Sequence, residues 1–360
     1  MMIKPERLKR GDKVAIVSLS SGVLGEKFVE HEVKLLEKRL GEFGLEFEYM
    51  ENSRKGLEYL AAHPEAKAED LKRAFLDDSV KMVWCAIGGN DAFKTLPYLL
   101  GDEEFKKIVL EHPKIFMGFS DTTIHHLMFY KIGLRTYYGP ALLPDLAEFS
   151  PEMLPYTKKW IEELFEPADE IVIKNSSVWY KPREDFGPEQ VGVPAIEVEE
   201  ERGIEFFGAS KVVEGELLGG CLDVLADPLL LDNIHHEGAE KIYEKYPIFP
   251  ELEEWEGKVL FIETSEEQIT PERYRKILEA MEKKGVFGKI VGILSGKPVD
   301  EKYIDEYRDI LKEFAEKYNL PTAFNLNFGH NAPRLILPYG QRVEIDTMRG
   351  EVKMIGKMVA

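Results

Sequence analysis

Residues 114–130 read KIFMGFSDTTIHHLMFY, and this stretch decides both the fold class and the first functional hypothesis. Residues 115–117 are typical of a short buried strand, a turn containing Ser120 follows, and residues 122–131 are helix-like. A serine at such a turn can present its hydroxyl beside the unpaired N–H groups that begin the next helix. That arrangement suits a nucleophile. On this segment alone an N-cap role is favoured, because serine is a preferred capping residue.

Strands alternate with helices through the first 165 residues, which predicts an α/β, doubly wound and mostly parallel sheet covered on both faces. Ligands of such sheets bind beyond the carboxyl ends of the strands. Gly88-Gly89 follows one predicted strand and Ser120 follows another, so we expect them to face one crevice. The predicted strands are 13–18, 46–50, 82–87, 115–117 and 136–138, and the predicted helices are 27–43, 68–76, 91–100, 122–131 and 151–165.

Periodicity weakens between residues 166 and 210, and this change predicts a boundary. We expect an N-terminal α/β domain over 1–167, a connector and substrate loop over 168–210, and a C-terminal mixed α/β domain over 211–360. The predicted C-terminal strands are 213–218, 258–263, 289–294, 322–328, 334–338, 342–345 and 351–355, and the predicted helices are 271–284 and 303–318.

Composition excludes several classes of partner. The chain has 360 residues and a formal net charge of −19. Nucleic acids and anionic membranes need a basic footprint, so we expect neither as a partner. Cys85 and Cys221 are the two cysteines, and both lie in apolar, strand-like contexts, which indicates a reducing compartment rather than a disulfide framework. No apolar run is long enough for a signal peptide or membrane span, so the chain is expected in the cytoplasm.

Two residues far downstream could cooperate with a nucleophilic serine. His330 lies at the end of an apolar strand, in NFGHNAP, where a loop can reach a crevice. Glu263 ends the apolar strand KVLFIE, and a carboxylate there needs a partner or solvent; capping the following turn is the structural alternative. The order Ser120, Glu263, His330 is also that of α/β-hydrolases, but their GxSxG motif is absent because residue 122 is threonine.

The remaining histidines are weaker candidates. His125 and His126 follow Ser120 too closely to return over its helix N-terminus, and we expect them to pack or to face solvent. His235 and His236 are adjacent, and adjacent side chains diverge, so no metal site is expected there.

Five spaced runs resemble the serine peptidase family that groups LD-carboxypeptidases with microcin C immunity peptidases. They occur in the family's order and cover nearly the whole chain. The runs are AIGGNDAFKTLPYL (86–99), KIFMGFSDTTIHHLMFYKIGLRTYYGPAL (114–142), GELLGGCLDVL (215–225), LFIETSEEQ (260–268) and NFGHNAPRLILPYG (327–340). Within the family, the runs GGND, ETSEE and FGH-x-x-P are more similar to the microcin immunity branch.

The resemblance implies a catalytic triad of Ser120, Glu263 and His330. It implies an oxyanion hole made by the backbone N–H groups of Gly89 and Asp121. The site would lie at the interface of the two domains, with no metal or other cofactor. Because many members are dimers, a homodimer is expected.

The resemblance also gives three weaker substrate-binding candidates. The loop containing Trp179 could correspond to a substrate-stacking loop, or Trp179 could pack at the domain interface. Asn90 and Asp91 could contact substrate, or could cap a helix.

The substrate remains open at the level of sequence. One candidate is the L,D amide bond of a murein tetrapeptide, and the other is an amide joining a peptidyl or aminoacyl group to a nucleotide-like moiety. Two alternatives from other classes are a general α/β-hydrolase esterase and a non-catalytic, hinged small-molecule binding protein.

Overall fold

The computed structural model describes residues 2–232 and 238–360, which form sixteen strands and eleven α-helices. The strands, in chain order, are β1 (Lys13–Val17), β2 (Glu46–Tyr49), β3 (Val80–Cys85), β4 (Ile115–Gly118), β5 (Tyr137–Tyr138), β6 (Glu170–Ile173), β7 (Val178–Tyr180), β8 (Glu197–Glu199), β9 (Glu205–Phe207), β10 (Val212–Cys221), β11 (Lys258–Glu263), β12 (Gly292–Gly296), β13 (Thr322–Leu326), β14 (Leu337–Pro338), β15 (Arg342–Asp346) and β16 (Glu351–Ile355).

The helices connect and cover these strands. In chain order they are α1 (Glu30–Glu42), α2 (Leu57–Ala62), α3 (Pro64–Leu76), α4 (Leu96–Leu99), α5 (Glu103–Glu111), α6 (Thr123–Ile132), α7 (Pro155–Glu162), α8 (Leu222–Leu230), α9 (Ala239–Lys245), α10 (Pro271–Lys283) and α11 (Ile304–Lys317). None of the helices in the described ranges combines the length and apolar character that crossing a membrane requires.

The N-terminal sheet has the spatial order β2-β1-β3-β4-β5-β14. Its first five strands are parallel, and β14 pairs antiparallel with β5 at the edge. The order reverses between β1 and β3, which is the switch point where doubly wound sheets bind ligands. The central strands β3 and β4 are buried almost throughout, as expected for a sheet covered on both faces. The prediction of an α/β fold with a mostly parallel N-terminal sheet is therefore confirmed.

The C-terminal sheet has the order β6-β16-β15-β10-β11-β12-β13-β9. Its centre, β10 to β13, is parallel, whereas the flanking strands pair antiparallel. This mixture agrees with the predicted mixed α/β character. The carboxyl ends of β11 and β13 place Glu263 and the segment containing His330 at one edge of the sheet.

The two sheets are joined by strands and hydrogen bonds as well as by chain connections. β14 comes from the C-terminal part of the sequence but completes the N-terminal sheet. The hydroxyl of Tyr339 donates to the carbonyl of Gly219 at 2.6 Å, and the N–H of Cys221 donates to Thr123 Oγ1 at 3.1 Å. A side chain at Gly220 would lie 2.8 Å from Thr123 Oγ1, so β10 can approach α6 only with glycine there.

Several predicted boundaries were wrong. The strand predicted over 334–338 is confined to β14, because residues 329–334 form the loop around His330. The predicted connector and substrate loop over 168–210 contains strands, of which β6 and β9 pair within the C-terminal sheet, and the predicted domain bounds stay predictions. The helix predicted over 91–100 is a 3₁₀ turn followed by one turn of α4, because its proline interrupts the hydrogen bonding. The short helices α2, α5, α8 and α9 were not predicted.

Candidate active site

Ser120 occupies a strained turn between β4 and α6. Its φ of 64° is in the left-handed region, which non-glycine residues rarely adopt, and a 3₁₀ turn over Ser120–Thr122 leads into the helix. A Cβ on Gly88 would lie 2.9 Å from Ser120 Oγ, so the glycine is what leaves room for the hydroxyl. The strain and the close approach of the backbone together fix the direction of this hydroxyl. No side-chain capping bond is formed at the start of this turn or of α6.

The Gly88-Gly89 turn lies against the end of β1 and beside the residue after Ser120. The carbonyl of Gly88 accepts a hydrogen bond from the N–H of Ser21 at 3.0 Å. Gly89 has a φ of +149°, and a Cβ there would lie 2.7 Å from the Ser21 nitrogen. The backbone nitrogen of Asp121 is 3.4 Å from the position that a Cβ on Gly88 would take. The two predicted sources of oxyanion donors are therefore neighbours in space.

Two of the predicted substrate-binding residues are placed differently from each other. Asp91 is 9% exposed, and its Oδ1 accepts from Lys67 Nζ at 2.7 Å. Asn90 is exposed. The side chain of Asp121 is also structural in its contacts, because Oδ2 accepts from Ser20 Oγ at 2.5 Å and from the N–H of Ala92 at 2.9 Å. Burial raises the pKa of Asp121.

Glu263 and His330 form a buried pair at the end of β11. Nδ1 of His330 lies 2.8 Å from Glu263 Oε2, and the backbone N–H of His330 donates to the same oxygen at 3.1 Å. A Cβ on Gly329, whose φ is +90°, would collide with the Glu263 side chain. Glycine is thus required before the histidine so that the loop can wrap around the carboxylate. The structure therefore places these two predicted site residues in direct contact.

Tyr138 links the two halves of the site, and it was not among the predicted site residues. Its buried hydroxyl accepts a hydrogen bond from the N–H of Ser120 at 3.1 Å and donates to Glu263 Oε1. Burial raises its pKa well above the ordinary value. A signal was available: β5 is the next parallel strand after β4, so its carboxyl end must lie beside Ser120.

His330 is held as an imidazolium by two carboxylates. Burial on its own would lower its pKa, but the charges of Glu263 and Glu266 and the hydrogen bond to Glu263 raise it to about 10. Glu266 Oε2 lies 2.9 Å from Nε2, at ion-pair distance but without hydrogen-bond alignment. The ion pair with His330 lowers the pKa of Glu266 to about 2. The nitrogen that a serine hydroxyl would use is therefore occupied by an exposed glutamate.

A cavity of about 500 Å³ is lined by residues from both the N-terminal and the C-terminal parts of the chain. Ser120, Gly88 and Gly89 form part of its wall, and His330 and Glu266 form another part. Aromatic side chains line it as well, namely Phe119, Phe149, Tyr180 and Phe186. The ring of Phe119 packs edge-on against that of His330, with centroids 5.0 Å apart.

Trp179 does not line this cavity. It is 4% exposed, and Lys297 Nζ lies 5.4 Å from the centre of its ring, so its side chain packs against the segment that follows β12. The next residue, Tyr180, and Phe186 in the same loop line the cavity instead. Alternation along a strand explains the difference, because neighbouring side chains point to opposite faces.

The histidines set aside from the sequence have simple structural roles where they are described. His126 is buried and contacts Thr136 Oγ1 at 2.7 Å and the carbonyl of Gly118 at 2.9 Å. His125 is buried beside Thr95 Oγ1 at 3.0 Å. His235 and His236 lie outside the described residues.

One cluster among the described residues has donor atoms that a metal could use. Atoms of Cys221, Glu263 and His330 lie within 4.8 Å of one another. Burial, with the nearby charges of Glu263 and Asp223, raises the pKa of Cys221 well above the ordinary value, which disfavours the thiolate that a metal needs. The geometry instead pairs Glu263 with His330.

Comparison with known proteins agrees with this architecture. Residues 14–139 match the LD-carboxypeptidase N-terminal domain, and residues 214–345 match the LD-carboxypeptidase C-terminal domain. The chain is 26% identical over 350 residues to the probable murein peptide carboxypeptidase of Bacillus subtilis, covering 96% of this chain and 92% of that protein. It is 26% identical over 291 residues to the microcin C7 self-immunity protein MccF of Escherichia coli, covering 78% and 75% respectively.

Solved structures extend the comparison. The MccF-like protein from Streptococcus pneumoniae in complex with AMP is 42% identical, with a TM-score of 0.90, over 96% of this chain and 98% of that one. MccF in complex with aspartyl sulfamoyl adenosine has a TM-score of 0.80 at 20% identity over 99% and 100%, a likeness of fold. The family models and the 42% identical relative together show that this chain belongs to the LD-carboxypeptidase family and is a serine carboxypeptidase-like hydrolase.

Proposed function

We propose that the chain hydrolyses an amide bond through an acyl-enzyme, with Ser120 as nucleophile, His330 as general base and Glu263 as the residue that orients it. The observation that carries the proposal is the Nδ1–Oε2 distance of 2.8 Å between His330 and the buried Glu263, because His330 lines the same cavity as Ser120. A carboxylate on Nδ1 fixes the tautomer of the imidazole, which leaves Nε2 to exchange a proton with substrate once Glu266 has moved away.

The proposed reaction follows from these positions. Ser120 Oγ attacks the amide carbon while its proton passes to His330 Nε2, and the N–H groups of Gly89 and Asp121 bind the oxyanion. The amine leaves with the proton from Nε2, and water repeats the steps on the acyl-enzyme. Glu266 must first leave Nε2, because its charge helps to raise the pKa of His330 to about 10 and so favours the imidazolium, which cannot accept a proton. Substrate binding would supply that displacement and return the pKa of His330 toward neutrality.

We propose an aminoacyl or peptidyl nucleotide conjugate as the substrate. The cavity offers flat aromatic walls, and each cation that lines it already has a carboxylate partner. The pairs are Arg183 with Glu148, Arg334 with Asp145, and Lys181 with Asp300. A murein tetrapeptide carries several carboxylates, each of which would need a free cation, whereas a nucleotide conjugate carries a single anionic linkage and a flat base that aromatic walls can bind. The 42% identical relative was solved with AMP, which also favours the nucleotide class.

A murein tetrapeptide is the second candidate, with cleavage of its L,D amide bond. The relative that favours it is the probable murein peptide carboxypeptidase, which matches along 96% of this chain.

The test is a side-by-side assay of an aminoacyl sulfamoyl adenosine and a murein tetrapeptide, with products identified by mass spectrometry. We expect release of sulfamoyl adenosine and a loss of at least about 10⁴-fold in kcat for Ser120→Ala, since removal of a triad member is that costly. Ser79→Ala, at an exposed serine outside the cavity, is the matched control. Activity of Ser120→Ala equal to wild type would reject the mechanism, and cleavage of the tetrapeptide alone would reject the substrate.

Two further properties are proposed on the family resemblance and the composition. The chain is proposed to form a homodimer and to act in the cytoplasm, in keeping with two buried, unpaired cysteines. Analytical ultracentrifugation at micromolar concentration tests the first, with a mass twice the 41.3 kDa of the chain as the expected result.

A further inference from the structure

Glu32 is a buried carboxylate for which the proposed reaction has no use. It lies in the first turn of α1, is 9% exposed and lines the same cavity as Ser120. Within residues 2–232 and 238–360 it makes no hydrogen bond and no ion pair. The other two glutamates in the cavity wall differ, because Glu148 is paired with Arg183 and Glu266 with His330.

A carboxylate that is largely buried and has no partner is costly, because burial disfavours its charged form. Burial raises the pKa of Glu32 to about 7. Its oxygens have no protein partner among the described residues, so hydrogen-bond donors can reach them only from the cavity, from water or from a ligand. A ligand that offers hydrogen-bond donors at this point would remove the penalty, whereas a ligand that offers only acceptors would not.

The position of Glu32 shows which part of the cavity it serves. Arg39, seven residues further on the same face of α1, donates to the carbonyl of Leu146 at 2.7 Å and so holds the helix against the segment containing Phe149. His31 contacts the ring of Phe149, with centroids 5.4 Å apart, and lies 3.0 Å from the carbonyl of Phe186. Glu32 therefore belongs to the wall that carries the aromatic rings.

We propose that Glu32 is a specificity-determining residue that accepts a hydrogen bond from an N–H group on the planar, aromatic part of the substrate. The rings of Phe149 and Phe186 suit a flat heterocycle, and a carboxylate beside them reads donors on its edge. In a nucleotide conjugate that donor is the amino group of the base. This inference rests on the proposed substrate class, and it adds that Glu32 binds the edge of the base that carries the amino group.

The binding test separates this role from catalysis. Calorimetry with AMP and with purine riboside 5′-monophosphate, which lacks the amino group, needs no turnover. Wild type is expected to bind AMP about 10-fold more tightly, the worth of one hydrogen bond to a charged group. Glu32→Ala should bind both ligands equally. Glu30→Ala, an exposed glutamate in the same helical turn, should keep the wild-type preference.

A second arm tests the other source of donors, the ammonium group of the acyl part. Aminoacyl sulfamoyl adenosine and its N-acetylated form should be affected equally by Glu32→Ala. The proposal is overturned if Glu32→Ala keeps the preference for AMP, if wild type binds neither nucleotide, or if the variant loses discrimination of the acyl amine instead. AMP discrimination without hydrolysis of any conjugate would reject the proposed function and leave this inference standing.

Thermal unfolding distinguishes a role of Glu32 in recognition from a role in stabilising the fold. Because Glu32→Gln removes a buried charge that has no partner, we expect its Tm to equal or exceed that of wild type. A Tm lowered by more than about 4 °C would show that Glu32 supports the fold and would count against a role in recognition.

Discussion

The carboxyl ends of the two sheets line one cavity, but they contribute different chemistry to it. The N-terminal sheet provides a hydroxyl at Ser120 and backbone N–H groups at Gly89 and Asp121, none of which changes charge near neutral pH. The C-terminal sheet provides Glu263 and His330, and the pKa of His330 is raised by the charges of the neighbouring carboxylates. The N-terminal side therefore contributes groups of fixed charge, and the C-terminal side contributes a histidine that can gain or lose a proton. Tyr138 forms hydrogen bonds to both sides. Variants on each side should therefore fail in different ways.

Glu263→Gln should produce the largest loss on the titrating side. The amide can no longer stabilise the imidazolium or fix its tautomer, so we expect kcat to fall by about 10⁴-fold with little change in KM. Steady-state kinetics on the cleaved substrate provides the measurement, and circular dichroism checks the fold. A decrease below tenfold would mean that the Glu263–His330 pair is structural.

Gly89→Ala should produce the next largest loss, on the side of fixed geometry. A methyl group there meets the Ser21 nitrogen at 2.7 Å and disturbs the turn, so an oxyanion donor is lost and kcat falls by about 10²- to 10³-fold. Gly11→Ala is the control, because Gly11 also has a positive φ but has no atom within 4 Å of the added methyl. Equal kinetic losses in both variants would remove Gly89 from the oxyanion hole.

Tyr138→Phe tests the connection between the two sides. Loss of a hydroxyl bonded to the Ser120 N–H and to Glu263 should lower kcat by about 10- to 100-fold, the range for a hydrogen bond to a charged group. Tyr137→Phe is matched to it, because that hydroxyl is equally buried but donates to the carbonyl of Met358 at 3.0 Å. If the two variants lose the same activity, Tyr138 has no positioning role.

Glu266→Gln should have the smallest effect at its optimum, and it should move the pH profile. The charge of Glu266 helps to raise the pKa of His330 to about 10, so the imidazolium persists in the free chain until the pH approaches that value. Removing this anion lowers the pKa of His330, and the acid limb of kcat/KM should shift to lower pH by on the order of one unit. Glu267→Gln, at the neighbouring exposed glutamate, should leave the limb in place. A shift to higher pH would contradict the assignment.

The sheets and the residues around the cavity differed in how far the sequence could predict them. The alternation of strands and helices predicts the parallel sheets, because periodicity and length are local properties. Ser120, Glu263 and His330 were candidates because they lie at strand ends, and the family resemblance implied their roles. Tyr138 and Glu32 were missed, because a tyrosine in a strand and a glutamate in a helix have no unusual local pattern. Their importance depends on which elements pack beside them.

Asp91 and Trp179 show that a residue predicted near the site can still have its side chain directed elsewhere. Asp91 follows the Gly88-Gly89 turn and was predicted to contact substrate or to cap a helix, yet its carboxylate is held by Lys67, which is 24 residues away in sequence and buried. Trp179 lies one residue from the cavity wall, and only the strand register decides that Tyr180 faces the cavity. Spacing along the chain identifies the neighbourhood of a site, whereas side-chain direction requires the fold.

The most direct test of the central claim is covalent labelling with a fluorophosphonate, followed by peptide mapping. The account predicts a single modified residue, Ser120, with labelling lost in Ser120→Ala and slowed in Glu263→Gln. Modification of another residue at the wild-type rate, or undiminished labelling of Ser120→Ala, would contradict the assignment of Ser120 as the nucleophile.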